Sequence, residues 1–240
     1  MGVARRGRES GFAARVLETE TMESPRCDAA YLQRTYAQFA PLNDVLCGWR
    51  GLYGRYLRPA LRAAGGTVDK PASVLDIGCG GGDIVSRLAG WTARDGIPAR
   101  FVGADTDPRA LAFARDKVHA RNISFSAASA REIADGGERF DAVISNHLLH
   151  HLSDSEAGEM MRDSARLAAR LVLHSDIHRH PLAYAGFPFV GGWFRGSYIF
   201  PDGMISIRRS FTPRELRALA PRGFRVHAAF PFRLHAVWEP

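Results

Sequence analysis

SVLDIGCGGGD, residues 73–83, sets a short apolar run against a glycine cluster and closes with an acid at the mouth of a helical stretch. Val74, Leu75 and Ile77 read as a buried strand carrying one acid, Asp76, near its end. Gly78, Gly80, Gly81 and Gly82 then permit a sharp turn and a close backbone approach to a ligand, where a Cβ would collide. The turn is therefore expected to be a contact surface at a strand tip.

The identity of the last residue narrows the ligand. A dinucleotide loop of the G-x-G-x-x-G type would need glycine at 78, 80 and 83, because a pyrophosphate rests on the bare N–H groups of the helix start. Position 83 is Asp, which suits a helix N-terminus but repels a pyrophosphate. A nucleoside ligand with a positive group and no phosphate fits instead, and S-adenosylmethionine has both properties. The segment ARFVGADTDPRAL supplies a second acid, Asp105, at the end of the run Phe101–Ala104. It stands 23 residues past Gly82, near the ~20-residue spacing at which an acid ending the second strand takes ribose hydroxyls. Asp107 and Pro108 read as N-cap and first turn of the next helix, leaving Asp105 for the ligand.

VLDIGCGGGD, GADTDPRAL, FDAVISNHLLHHL and LVLHSDIHRH, taken in this order over residues 73–180, resemble the class I S-adenosylmethionine-dependent methyltransferases, in particular their small-molecule branch of quinone-biosynthesis and phenol or polyketide enzymes. The resemblance implies an α/β, doubly wound, seven-stranded Rossmann-like sheet. It also implies that Asp76 and the loop Gly78–Cys79–Gly80 lie beside the methionine moiety, that Asp105 holds the ribose, and that Thr106 and Asn146 belong to the cofactor pocket. Where the family often has Asp after the third strand to read the adenine amino group, this chain offers Ser129 followed by Ala130.

Length and 46% hydrophobic content suit one domain with one substantial core. Cys27, Cys47 and Cys79 are odd in number, scattered and without a C-x-x-C pair, so no disulfide framework is implied and a reducing, cytosolic setting is expected. No apolar run approaches a membrane span, and MGVARRGRES lacks the apolar core of a secretory signal. The formal net charge of +7 rests on 32 basic residues of which only Lys70 and Lys117 are lysines. That pattern reads as solvated surface rather than a nucleic-acid stripe.

Residues 1–26 are polar and without sustained period and read as a disordered tail whose loss function should survive; 27–240 form the single domain. From Tyr31 to Leu61 apolar residues recur at helical spacing and predict two or three cap helices within 27–66. YAQFAPLNDVLCGWRGLYGRYL resembles the N-terminal region of quinone-biosynthesis methyltransferases, where such helices cover the cofactor. Strands are expected near 73–77, 100–104, 122–126, 140–145 and 170–175, with helices near 83–90, 108–120 and 153–168, the last begun by a Ser153–Glu156 capping box. Residues 181–210, with three prolines and many aromatics, read as a lid insertion over the substrate. Thr212, Pro213 and Glu215 start a last helix that Gly223 ends, before a closing pair of strands near 224–230 and 233–238.

Methyl transfer from a sulfonium needs an aligned nucleophile, and an aromatic, weakly polar pocket holds the cation by its ring faces. A phenol, with a reference pKa of about 10, gains from a base titrating near neutrality. Six of the nine histidines fall at or beyond the fourth and fifth strands, the ligand edge of an open α/β sheet. His178 is the first expected base and His150 the second; Asp176 could orient a histidine. Tyr36, Phe39, His147, His180 and Trp193 are the expected acceptor contacts. His147, His150 and His151 have i, i+3, i+4 spacing, which on one helix face would be metal-ligand geometry. Ubiquinone-pathway O-methyltransferases, which this segment resembles, carry two glutamates and a histidine there and use a divalent ion. An LHHL run also occurs in metal-free members of the family, and no metal is expected. The expected activity is O-methylation of a small apolar phenolic, quinone-like or polyketide acceptor. Ring C-methylation is the alternative, followed by nucleic-acid methylation and a non-catalytic cofactor-binding role. Whether the chain forms a homodimer is left open.

Overall fold

Seven strands, β1 (Ala72–Ile77), β2 (Ala99–Ala104), β3 (Ile123–Ser126), β4 (Phe140–Asn146), β5 (Ala168–Ile177), β6 (Arg225–Ala229) and β7 (Arg233–Trp238), form one sheet in the computed structural model, which describes residues 12–240. Their order is β3-β2-β1-β4-β5-β7-β6. The first five are parallel, and β7 runs antiparallel between β5 and β6. This is the mixed, doubly wound sheet that the resemblance implies. Every residue of β1 is buried, as a central parallel strand covered on both faces requires. Alternation along it splits the core: Val74 packs with Leu57, Leu88 and Ile144 on one side, and Leu75 with Val143, Met161 and Leu216 on the other.

Ahead of the sheet, α1 (Ala29–Leu46) is capped by Asp28, whose side chain accepts from the Tyr31 N–H, and α2 (Trp49–Leu52) runs through a π turn, Tyr53–Leu57, into α3 (Arg58–Ala64). The crossovers carry α4 (Asp83–Arg94), α5 (Pro108–Lys117), α6 (Ala130–Asp135) and α7 (Asp154–Leu167). The expected caps form: Asp107 accepts from the Arg109 N–H, and Ser153–Glu156 closes a capping box. Helix α6 was not visible as a period because it is a single capped turn and a half, begun by a Ser129–Glu132 capping box.

Two expectations change. The insertion 181–210 is a pair of packed helices, α8 (Pro181–Gly191) and α9 (Ile199–Arg209). The last helix, α10 (Pro213–Leu219), starts at the Thr212 cap as expected but stops before Gly223, because Ala220 turns extended ahead of Pro221.

The expected tail is also corrected. Residues 1–11 lie outside the described residues, but 12–28 run as a strap along α9 and the sheet edge. Arg15 donates to the Arg209 carbonyl at 2.6 Å, to Asp154 at 2.6 Å and to the Leu152 carbonyl at 2.8 Å. A 3-10 turn, Thr21–Glu23, hangs on Asp202, whose carboxylate accepts from the N–H groups of Thr21 and Met22 at 2.8 and 2.9 Å. Arg109 reaches up from α5 to the carbonyls of Met22 and Ser24. The reading of the arginines as solvated surface fails at the same places: Arg179, Arg209 and Arg233 are buried and donate to carbonyls, carboxylates and a ring nitrogen. Among the described residues no helix is long and apolar enough to cross a membrane.

Because the strap carries buried ion pairs, removing residues 1–23 leaves Arg209 without its carboxylates and is expected to cost at least about 3 kcal/mol of unfolding free energy. Urea denaturation checks this, and an unchanged midpoint and slope would show that the strap contributes nothing.

Candidate active site

The carboxyl ends of β1 and β2 and the segment after β4 open onto one cavity of about 770 Å³. Its floor is the 78–81 turn. Gly78 and Gly80 have φ of +67° and +52°, a region costly for residues with a Cβ. A Cβ on Gly78 would sit 2.8 Å from Leu148, whereas one on Gly80 would meet no protein atom. The turn is fixed from the neighbouring strand, since Asp105 accepts from the Gly80 N–H through Oδ2 and from the Asp107 N–H through Oδ1, both at 2.8 Å.

Three acids converge here. Asp76 is buried and its Oδ1 has no hydrogen-bond partner among the described residues. Burial, with Asp83 and Asp105 nearby, pushes its carboxyl well above the usual range. Asp83 is raised by burial even though Asn43 donates to it at 2.8 Å, and Asp105 is raised by burial as well. Such a site favours a ligand that brings positive charge and hydrogen-bond donors. The open Gly80 cradle and the orphan oxygen of Asp76 thus fit the ammonium and sulfonium of S-adenosylmethionine, with Asp105 left for hydroxyls. Every residue assigned to the cofactor from sequence, Asp76, Gly78, Cys79, Gly80, Asp105, Thr106, Ser129, Ala130 and Asn146, lines this cavity. The Ser129 hydroxyl is committed to its helix cap, donating to Glu132 at 2.7 Å.

Opposite the turn, Leu149–His151 form one 3-10 turn, which brings His150 into the wall. His150 Nδ1 lies 2.6 Å from Asp176 Oδ1, and the His150 N–H donates to the other oxygen at 2.9 Å. Its Nε2 faces Glu20 Oε1 at 3.5 Å. Burial would lower the imidazole pKa, but Asp176 and Glu20 more than offset it and hold the value up to about 9. Burial would raise Asp176, but His150 keeps it below the usual carboxylate range. Glu20 is likewise opposed by burial yet drawn down to about 2 by His150 and His151. It is 3% exposed and accepts from the Ser206 hydroxyl at 2.6 Å. His151 Nδ1 sits 2.5 Å from Glu23, which Arg209 also binds.

The expected histidine stripe does not form. His147 adopts φ +56° before the 3-10 turn, and its Nε2 faces Arg233 at 2.7 Å. Glu20 replaces it: one ligand-type atom each from Glu20, His150 and His151 lies within 4.8 Å of the others. Both Nδ1 atoms of that group are held by Asp176 and Glu23, so it reads as a hydrogen-bonded charge network. His178, the first expected base, lines neither cavity; its N–H bonds the Phe232 carbonyl and its ring lies against His180. His180 caps α8, accepting from the Leu182 N–H, and Trp193 is 85% exposed; neither lines a cavity. Tyr36, Phe39 and His147 do. Glu20 and Arg233 were missed from sequence; the only signal was an acid-apolar-acid run, ETME, inside an otherwise polar segment.

A second, more apolar chamber of about 250 Å³ opens behind Phe39 and His147, walled by Leu42, Leu46, Phe187, Val190 and Ile207. Phe39, His147, Glu20, Met22 and Ser206 belong to both chambers.

A carboxyl raised by burial binds more protons folded than unfolded, so its share of stability falls as pH rises above the unfolded value near 3.8. Ligand-free protein should therefore lose stability from mildly acidic to alkaline pH more steeply than Asp76→Asn does. Denaturant unfolding across that range reads the two slopes; equal slopes would remove the charged, unpaired Asp76 from the site.

The family described as "Methyltransferase domain" matches residues 74–170. A ubiquinone biosynthesis O-methyltransferase of Azorhizobium caulinodans is 31% identical over 185 residues, covering 74% of this chain and 64% of that protein, so the chain spans less than two thirds of that relative. A demethylmenaquinone methyltransferase of Roseiflexus sp. is 29% identical over 190 residues, covering 77% and 75%. The solved N-methyltransferase NodS of Bradyrhizobium japonicum shares the fold at TM-score 0.55 and 15% identity, over 88% of this chain and 98% of that one. With the strand order, the acid-lined turn and these likenesses all in agreement, residues 74–170 form a methyltransferase domain of the class I S-adenosylmethionine-dependent kind, distantly similar to the ubiquinone and menaquinone enzymes.

Proposed function

We propose that the chain is an O-methyltransferase acting on a hydroxyl of a small aromatic acceptor with apolar surface, phenolic, quinone-like or polyketide in kind. The observation that carries this reading is His150, buried in the cavity wall with Nδ1 on Asp176. Asp176 fixes the ring and its tautomer, and Nε2 is the nitrogen left, facing Glu20, which lines the same cavity. S-adenosylmethionine, bound on the 78–81 turn, supplies an activated methyl on a sulfonium. His150 accepts the acceptor's phenolic proton at Nε2, and the imidazolium so formed is stabilised between Asp176 and Glu20. The resulting phenolate is an ion-pair partner for that imidazolium. Tyr36 and Phe39 supply aromatic lining for the bound pair, and the second chamber receives an apolar substituent of the acceptor. The likeness to a ubiquinone biosynthesis O-methyltransferase and to a demethylmenaquinone methyltransferase supports an acceptor of this kind.

Ring C-methylation is the second reading, favoured by the same geometry. Deprotonating a ring hydroxyl also makes the adjacent carbon nucleophilic, and the base need not move.

Only unprotonated His150 can accept a proton, so kcat/KM is expected to rise with pH and level off beyond a limb near 9. Glu20→Gln removes one carboxylate that raises this value and should move the limb toward neutrality. His150→Asn should lower kcat by about 10²–10⁴. A pH-independent rate, or full turnover in His150→Asn, would overturn the assignment of the base. Mass spectrometry and NMR of the product from a phenol and isotopically labelled S-adenosylmethionine locate the methyl; label found on ring carbon alone selects the second reading.

A further inference from the structure

His147 stands at the neck between the two chambers in a backbone conformation that non-glycine residues rarely adopt. Its backbone is pinned there, since its N–H donates to the Ser175 carbonyl at 3.0 Å. Strain of this kind persists where the surroundings over-determine it, and it is found disproportionately at functional sites. The ring is over-determined too. Arg233, buried on β7, donates through Nη1 to His147 Nε2 at 2.7 Å and through Nη2 to Asn146 Oδ1 at 3.1 Å and Ser175 Oγ at 2.9 Å.

A guanidinium has only donors, so His147 Nε2 must be the acceptor and carry no proton. The Cys47 thiol, 3.1 Å from the same nitrogen, is a second neighbour with a hydrogen to give, although it can also donate to Asn43 Oδ1. Burial and the adjacent guanidinium both keep the ring below the ordinary histidine range, so it is neutral. Neutral imidazole with a bare Nε2 has its one proton on Nδ1. That nitrogen has no hydrogen-bond partner among the described residues, yet it is not one of the sealed, unpartnered polar atoms of the interior. It therefore keeps some exposure, on a residue that lines both chambers. The ring of His150 lies 6.1 Å away and nearly edge-on, at 73°. Two imidazoles of opposite character therefore lie together: His150, which offers a lone pair once deprotonated, in the wall of the first chamber, and His147, with a fixed hydrogen, at the neck.

We propose that His147, locked by Arg233 as the Nδ1–H tautomer, is a specificity-determining donor that binds a second, lone-pair-bearing oxygen of the acceptor, a ketone or quinone carbonyl placed beside the hydroxyl that faces His150. This rests on the reading that an acceptor hydroxyl faces His150. The substrate class narrows accordingly from phenols at large to ortho- or peri-hydroxy carbonyl arenes. An acceptor with alkyl carbon at that position leaves the Nδ1–H unpaired in the neck, and a site built around a polar group discriminates against the analogue lacking it.

The test uses 2-hydroxyacetophenone and 2-ethylphenol, which match in size and differ in that one oxygen. Each is titrated into the full-length protein in the presence of S-adenosylhomocysteine, and each is assayed for turnover with S-adenosylmethionine. The wild type should bind the ketone at least about tenfold more tightly, a ratio worth about 1.4 kcal/mol. His147→Gly removes the donor at a position where glycine relieves rather than adds backbone strain, and it should bring the ratio near one. His147→Asn keeps an N–H donor and tolerates positive φ, and it should retain most of the ratio. The effect should fall on KM rather than on the pH limb of His150. An unchanged ratio in His147→Gly overturns the proposal.

A second measurement needs no acceptor. Nitrogen-15 NMR of the labelled imidazoles should show His147 protonated at Nδ1 and bare at Nε2, and Arg233→Met should release the ring to the other tautomer. A wild-type His147 protonated at Nε2 refutes the proposal even if neither probe binds. Should the ratios and tautomer behave as stated while no methyl reaches oxygen, the O-methylation reading fails and the donor role of His147 stands.

Discussion

Negative charge without a counter-charge, held at the tips of two adjacent strands, is the constraint around which this molecule is arranged. Asp76 ends β1 inside the core, Asp105 follows β2, and Asp83 opens α4 just beyond the turn between them. Each is raised by burial, and Asp76 additionally by the other two. A protein tolerates such a cluster only where a ligand completes it, because unpaired buried carboxylates cost stability. The sheet order makes the place: β1 lies between β2 and β4, where successive crossovers leave on opposite sides and a crevice opens beyond the strand ends. The turn, the cradle at Gly80 and the commitment of both Asp105 oxygens to backbone N–H groups all serve that one opening.

The opposite wall reverses the electrostatics. There His150 and His151 meet Asp176, Glu20 and Glu23, and Arg209 closes the network through Glu23 and the carbonyls of both histidines. The pair His150–Asp176 behaves as a coupled unit, so titration of one shifts the other. The strap matters because it supplies two of the three carboxylates.

What could be read from the chain alone was local. The turn at 78–82, the caps at Asp107, Ser153 and Thr212, and the acids at strand tips each declare themselves within a few neighbouring residues, because backbone φ, capping and strand burial are local problems. The strand sequence was legible for the same reason. Glu20 was not, since its partners His150 and Ser206 are far away in sequence and nothing beside it marks it for burial. His147 was misread by period: i, i+3, i+4 spacing implies a shared face only if the backbone is helical throughout, and here φ turns positive at the first of the three. Arg233 sits at the start of a strand buried on both faces, and nothing in that run shows that a histidine just past another strand waits there. The helices α8 and α9 were hidden by Pro188 and by Gly186, Gly191 and Gly203, residue types that weaken a helical period.

The Glu20 to Ser206 hydrogen bond spans 186 residues of chain. Glu20 can therefore be seated only after α9 has been synthesised and packed, a contact of very high sequence separation whose closure entropy is met before the contact is gained. The base's second carboxylate is thus withheld from any chain that has not yet reached α9, and the proton-accepting network waits on a long-range docking step.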